Sequence, residues 1–170
     1  MTLTPALEAL IRRVADERSL PPAILRGLVL AESGGDPWAR SDAGAMGLTQ
    51  LMPETAAEFG VSNPWDPAQN LDGGARKLAG LIRSYRGELV AALAAYHSGE
   101  GNLSRTGYPT PGWLALLGPQ GRAYPGRVLT LAGWSLLGEK AVPPAARGPG
   151  GGAAAILFFA GLGLAAAFFK

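Results

Sequence analysis

With 170 residues, the chain has room for one domain with a working core and a short appendage. It contains no cysteine, which excludes a disulfide framework and thiolate metal sites. A formal net charge of +2 gives no footing for nucleic-acid binding, although it is compatible with an anionic polymer or a lipid surface.

The first predicted element is a helix opened by Thr4 as N-cap and Pro5 at the first helical position, with Leu7, Leu10, Ile11 and Val14 as its apolar stripe. Glu8, Arg12, Arg13 and Asp16 interrupt any apolar run of the kind an export signal requires, so the N-terminus reads as folded protein. Pro21 and Pro22 punctuate the entry to a second helix, in which Leu20, Ile24, Leu25, Leu28 and Val29 lead at helical spacing to Glu32. A carboxylate on an apolar wall, at the negative end of a helix dipole, holds its proton to higher pH than a free glutamate. Such a group can serve as a general acid near neutrality.

A loop containing Gly34, Gly35, Gly44 and Gly47 follows, able to pass backbone close to a ligand, and with it come Ser41, Gln50 and Met52. A short helix is expected from about Thr49 or Pro53 to Phe59, then a turn-rich connector from Asn63 to Pro67. Leu71, Ala75, Leu78, Ala79 and Ile82 predict a helix from Asn70 to Tyr85, and the Ala-rich run from Glu88 to Tyr96 predicts another. Residues 99–111 and 118–121 read as loops. Residues 122–137 read as a helix whose start is held near Pro125 and Gly126. No stretch alternates with period two for long enough to argue a sheet.

The expected organisation is a helical domain over residues 1–140, a Pro/Gly-rich linker over 141–152 and a single C-terminal transmembrane helix over 153–169. The last segment is uncharged and apolar on every side, and at 1.5 Å per residue it spans roughly 25 Å, just short of a ~30 Å hydrocarbon core. Lys170 and Arg147 can snorkel to the two faces. Gly161 and Ala165 offer a small-residue surface for homo- or hetero-oligomeric helix pairing within the membrane.

The stretch from Glu32 to Ala56 resembles the catalytic domain of the soluble-type lytic transglycosylases, which are related to goose-type lysozyme. The resemblance is carried by Glu32-Ser33, then Pro37, Ala39, Ser41, Ala43-Gly44-Ala45 and Gly47-Leu48, then Gln50-Leu51-Met52-Pro53 and Thr55-Ala56. Further blocks follow from Asp66 to Gly74, from Ala92 to Asn102, and more weakly at Arg122, Tyr124, Val128 and Leu129. Together they cover roughly residues 5–132. The family implies an all-α, lysozyme-like domain that needs no metal or cofactor and acts on peptidoglycan glycan strands. It also implies cleavage of the bond between N-acetylmuramic acid and N-acetylglucosamine by one carboxyl group.

By that resemblance Glu32 is the acid that protonates the glycosidic oxygen and then the base that takes the proton of the muramyl 6-hydroxyl, closing a 1,6-anhydro ring. Tyr96 is the phenol expected to orient it. Ser41, Gln50 and Met52 are expected to line the sugar cleft, where hydroxyl and amide groups meet sugar hydroxyls and a thioether supplies a polarizable floor. Of the four tryptophans, Trp38 in the loop after the acid is the best candidate for stacking on a sugar ring. His97 stands where the family has Asn and is expected to keep its hydrogen-bonding task. Gln120 stands where the family has Glu, and Ser98, Glu100 and Gly35 also depart from the pattern. Asp36, Asp42, Glu54 and Glu58 are the nearby carboxylates from which a lysozyme-like second group would come.

Two alternatives stand beside this reading. One is a muramidase that breaks the same bond with water, and the other is a non-catalytic, membrane-anchored, wall-binding structural protein. An apolar tail without an export signal leaves the domain away from the wall unless something carries it there. The expected location is therefore a virion, anchored in an internal membrane and opening the wall during entry, with the bacterial cell envelope as the alternative.

Overall fold

The computed structural model describes residues 2–137 and 140–143. Seven α-helices run in chain order: α1 Pro5–Glu17, α2 Pro22–Glu32, α3 Pro53–Glu58, α4 Pro67–Ser84, α5 Leu89–Ser98, α6 Glu100–Arg105 and α7 Pro119–Leu131. A 3-10 turn at Trp113–Leu116 precedes α7, and two short strands, β1 Ser135–Leu137 and β2 Lys140–Val142, follow it. The helix starts obey local chemistry. Thr4 Oγ1 accepts from the Leu7 N–H at the start of α1, and Asp66 Oδ1 accepts from the Gln69 N–H at the start of α4. Prolines hold the first turns of α1, α2, α3, α4 and α7, where a missing N–H costs nothing.

The fold is organised around α5. Every residue from Leu89 to Tyr96 is buried, so this stretch of the helix has no solvent face and is enclosed by its neighbours. Four of those eight residues are alanine, which lets α4 and α7 pack against it at short range. α2 is buried along Ile24, Leu25 and Leu28 to Ala31. Its contact with α7 depends on Gly27, since a Cβ there would meet the Val128 carbonyl at 2.5 Å. Arg26 lies against the Leu131 carbonyl and Arg127 against the Ala31 carbonyl, so α2 and α7 run antiparallel. This close crossing brings residue 124 to residue 32.

The structure corrects the sequence reading at the C-terminal side. Residues 100–105, expected as loop, form α6. The last helix starts at Pro119 rather than near Pro125 and ends at Leu131. Pro125 sits inside α7: it removes one helical hydrogen bond, while Tyr124, Pro125, Val128 and Leu129 bury on the same helix. Residues 135–137, expected as helix, pair instead with 140–142 in an antiparallel hairpin, Ser135 opposite Val142 and Leu137 opposite Lys140. Three-residue strands are too short to betray themselves by alternation. The domain is therefore mostly helical rather than all-α, and β2 runs into the stretch read as linker. The rest of that linker and the apolar segment 153–169 lie outside the described residues. Among the described residues no helix is long and apolar enough to cross a membrane.

Candidate active site

Glu32 is the last residue of α2, where the final backbone carbonyls lack helical partners. The site begins with how those carbonyls are satisfied. The Arg127 guanidinium donates to the Ala31 carbonyl. Ser33 Oγ lies 2.9 Å from the Leu48 carbonyl and 3.2 Å from the Val29 carbonyl, and it accepts from the Gly35 N–H. Ser33 thereby ties the helix end to the far side of the loop, which explains why a hydroxyl follows the acid.

Glu32 itself is half-buried, and the Tyr124 hydroxyl donates to its Oε1. Burial holds the carboxyl above the ordinary carboxylate range, against the Tyr124 hydrogen bond and the charges of Lys77 and Arg127, which pull it down. Tyr124 is buried, and burial together with the Glu32 charge raises its phenol well above the usual value, so it stays a donor at any working pH. The His97 ring stacks on Tyr124 with centroids 4.5 Å apart and an interplanar angle of 14°. Loss of hydration there, with the Arg127 and Lys77 charges, lowers the His97 pKa. His97 thus meets the site through its ring face on Tyr124.

Tyr96 occupies a different place from the one expected. Its hydroxyl donates to the Thr49 carbonyl at 3.0 Å, and the phenol on Glu32 comes from Tyr124, 92 residues along the chain from the acid. Tyr96 remains close enough for the Glu32 charge to help burial raise its pKa. The Lys77 ammonium lies 4.1 Å from the centroid of its ring and donates to its backbone carbonyl at 3.1 Å.

The loop opposite is held by one buried amide. Asn70 Oδ1 accepts from the Thr49 N–H at 2.9 Å and the Thr49 hydroxyl at 2.7 Å, while its Nδ2 donates to the Met46 and Pro64 carbonyls, both at 2.9 Å. Gly47, at φ 74°, passes so close that a Cβ would meet Asn70 Nδ2 and the Pro64 carbonyl at 2.4 Å, so no other residue fits. Gln50 sits at φ 48°, a conformation costly for a non-glycine residue. Its Nε2 donates to the Ala39 and Gly47 carbonyls, both at 2.9 Å. Both amide hydrogens of Gln50 are therefore committed to the loop, leaving only Oε1 to meet a ligand. Ser41 Oγ accepts from the Ala45 N–H at 2.9 Å and braces the same turn.

Trp38 is 69% exposed and stacks on Trp65 at 6.1 Å and 22°, forming an aromatic platform on the surface. Met52 is 37% exposed, which places it at the surface rather than in the core. Gln120 is exposed and lines a cleft of about 620 Å³ with His97, Ser98, Asn102, Arg105 and Leu117. Because His97 stacks on Tyr124, this cleft adjoins the acid. Asp36, Asp42, Glu54 and Glu58 are all exposed. Among the described residues no cluster of three or more His, Cys, Asp or Glu side chains forms a metal site.

Sequence reasoning did not assign Tyr124, Lys77 or Arg127 to the site. Tyr124 stood in the weakest of the family blocks, so its signal was present but faint. Lys77 and Arg127 carried none, because only the packing of α4 and α7 brings their charges to bear on the acid.

The transglycosylase SLT domain matches residues 9–110. A transglycosylase of Enterobacteria phage PRD1 is 40% identical over 111 residues, covering 65% of this chain and 37% of that protein. Membrane-bound lytic murein transglycosylase F of Desulfosudis oleivorans is 35% identical over 108 residues, covering 60% of this chain and 24% of the relative. An inactive Glu-to-Gln mutant of lytic transglycosylase Slt from Pseudomonas aeruginosa superposes with a TM-score of 0.65 at 29% identity, over 73% of this chain and 23% of that one. The mostly helical, lysozyme-like fold is common to both. The chain spans well under half the length of these relatives.

Proposed function

The chain belongs to the transglycosylase SLT domain family, and from that premise we propose that it is a peptidoglycan lytic transglycosylase with Glu32 as its single acid and base. The observation that carries this reading is the carboxyl itself: it is half-buried, its pKa is raised by desolvation, and it accepts from one phenol. It donates its proton to the glycosidic oxygen between N-acetylmuramic acid and N-acetylglucosamine, and that bond breaks as the proton arrives. The resulting carboxylate then accepts the muramyl 6-hydroxyl proton, and the freed oxygen closes the 1,6-anhydro ring with the substrate N-acetyl group assisting. Desolvation favours this cycle, because a carboxyl with a raised pKa is both a competent acid and, once ionised, a stronger base. The exposure of Asp36, Asp42, Glu54 and Glu58 supports a one-carboxyl mechanism over a muramidase, in which a second carboxylate would face the first across the substrate.

In this reading Tyr124 positions Glu32, Tyr96 and Gln50 hold the loop that forms the opposite wall, and Ser41 braces its turn. His97 and Gln120 line the adjoining cleft, Met52 contributes an apolar edge, and Trp38 with Trp65 offers a face to a sugar ring. Mass spectrometry of peptidoglycan digested by the full chain tests it. Anhydromuramyl ends are the expected product, whereas reducing muramic acid ends would establish hydrolysis. Glu32→Gln should slow wall clearance by at least about 100-fold; a variant that clears at the wild-type rate would defeat the assignment of Glu32 as the acid.

The chain is further proposed to be tethered by residues 153–169 and carried in a virion, where it opens the wall locally during entry. The similarity to a phage transglycosylase and to a membrane-bound one supports that location. Purified particles should contain the chain; its confinement to membranes of uninfected cells would exclude the proposal.

A further inference from the structure

One cation near the acid plays no part in the mechanism above. Lys77 lies on α4, half-buried, with its ammonium against the face of the Tyr96 ring at 4.1 Å and donating to the Tyr96 carbonyl at 3.1 Å. Tyr96 is in the last turn of α5, where backbone carbonyls lack helical partners and the helix dipole attracts a cation. The two contacts immobilise a side chain that usually moves freely. Such a fixed, partly desolvated charge is screened by salt much less than one on the surface.

We propose that Lys77 is a positioning residue for the reaction: pinned on the ring and carbonyl of Tyr96, it is the fixed cation that governs when the Glu32 carboxyl gives up and regains its proton. The inference rests on the transglycosylase reading for its consequence, though not for its electrostatics.

Charged and titratable groups of α2, α3, α5 and α6 stand around Lys77, among them His97 of α5, whose pKa its charge helps to lower. Glu32 of α2, Glu58 of α3 and Glu100 of α6 favour its charged form, against the desolvation that opposes it. Glu58 and Glu100 are exposed and share with Lys77 a cleft of about 360 Å³. Around Glu32 stand Tyr124 and Arg127 of α7 and Tyr96 of α5. Arg127 is exposed and spends a hydrogen bond on the Ala31 carbonyl, so it serves the helix end as well. Lys77 is the half-buried cation of the two. Its sign is the useful one: it stabilises the carboxylate that exists between proton donation and proton recovery, while desolvation favours the acid form that begins the cycle. The balance sets the pH at which the cycle turns.

Removal of the Lys77 charge should raise the Glu32 pKa, since a nearby cation favours the ionised carboxyl. The test uses the full chain with ¹³C-labelled glutamate side chains, the Glu32 carboxyl resonance being assigned with Glu32→Gln. In Lys77→Gln, which keeps an N–H donor for the Tyr96 carbonyl, Glu32 should titrate at higher pH. The alkaline limb of kcat/KM should move the same way, with KM unchanged. Lys77→Arg should restore both. Near-UV circular dichroism checks the fold, and if the Gln variant unfolds, Lys77→Met keeps an unbranched stem over the ring and carries the same test. A Glu32 titration unmoved in a folded uncharged variant, or moved equally by Lys77→Arg, overturns the proposal. A wild-type chain that cleaves nothing while its Glu32 titration still follows the Lys77 charge would sink the transglycosylase reading and leave this electrostatic one standing.

Discussion

Where α2 meets α7, and where the loop of residues 39–51 lies on α4 and α5, the protein buries a tyrosine hydroxyl against two different kinds of acceptor. Tyr124 donates to a carboxyl oxygen that changes charge in the proposed reaction, and Tyr96 donates to the Thr49 carbonyl, which never does. In the first region the Tyr124 hydroxyl is the side-chain hydrogen bond on a half-buried carboxyl whose pKa desolvation raises. The second is densely bonded: Asn70 joins Thr49, Met46 and Pro64 through bonds of 2.7–2.9 Å, and Gln50 Nε2 donates to the Ala39 and Gly47 carbonyls, both at 2.9 Å. A buried polar group with all its partners stiffens the backbone, while one left with a single partner remains available for chemistry. The same side-chain chemistry thus fastens a loop in one place and presents an acid in the other.

Substitutions that separate stability from catalysis can break this contrast. The largest stability effect is expected at Asn70, where Asn70→Ala strands the Thr49 N–H and the Pro64 carbonyl, leaves the Met46 carbonyl only its bond from the Leu51 N–H, and should cost about 3 kcal/mol. Urea denaturation measures it, and a loss below about 1 kcal/mol would mean that the loop does not depend on the amide. Tyr124→Phe removes a hydrogen bond to a carboxyl, a contact worth about 1.5–3 kcal/mol, and should lower kcat by roughly 10- to 100-fold. Since that bond pulls the Glu32 pKa down, its loss should also move the alkaline limb of the activity profile to higher pH. Tyr96→Phe removes a neutral hydrogen bond of about 1 kcal/mol, which should appear as stability with a smaller fall in kcat than Tyr124→Phe. Equal losses of kcat in the two variants would erase the distinction between the two hydroxyls. Trp38→Ala lies at the bottom of the series. Because the side chain is 69% exposed, stability should change by no more than about 0.5 kcal/mol, and a few-fold rise in KM for glycan chains would place sugar on the platform. An unchanged KM would make Trp38 and Trp65 a surface pair only.

The early helices were legible because their periodicity and caps agree. Thr4 with Pro5 opens α1, and the run from Ile24 closes at Glu32 as read. Asp66 with Pro67 opens α4, although periodicity alone placed its start at Asn70. The C-terminal part was less legible for the opposite reason. Pro125 looked like a boundary because proline breaks isolated helices, and only the burial around it explains why it does not break this one. Of the site residues, Glu32 was legible from its apolar wall and from the blocks that follow it. The roles of Gln50 and Ser41 were not, since nothing in a sequence tells whether an amide faces a ligand or its own loop.

The sequence by itself marked out the Glu32 carboxyl, read the domain as all-α without its short hairpin, and pointed to the family to which it is akin, because local periodicity and ordered motifs survive without coordinates. Only the tertiary structure decided which phenol reaches that carboxyl and which cation stands behind it. Those pairings join α2 to α7 and α4 to α5 across helix contacts that depend on packing, such as the close crossing at Gly27. Contacts between residues far apart in the chain are fixed by how helices pack against one another, and helix packing is not written in the spacing of any one helix.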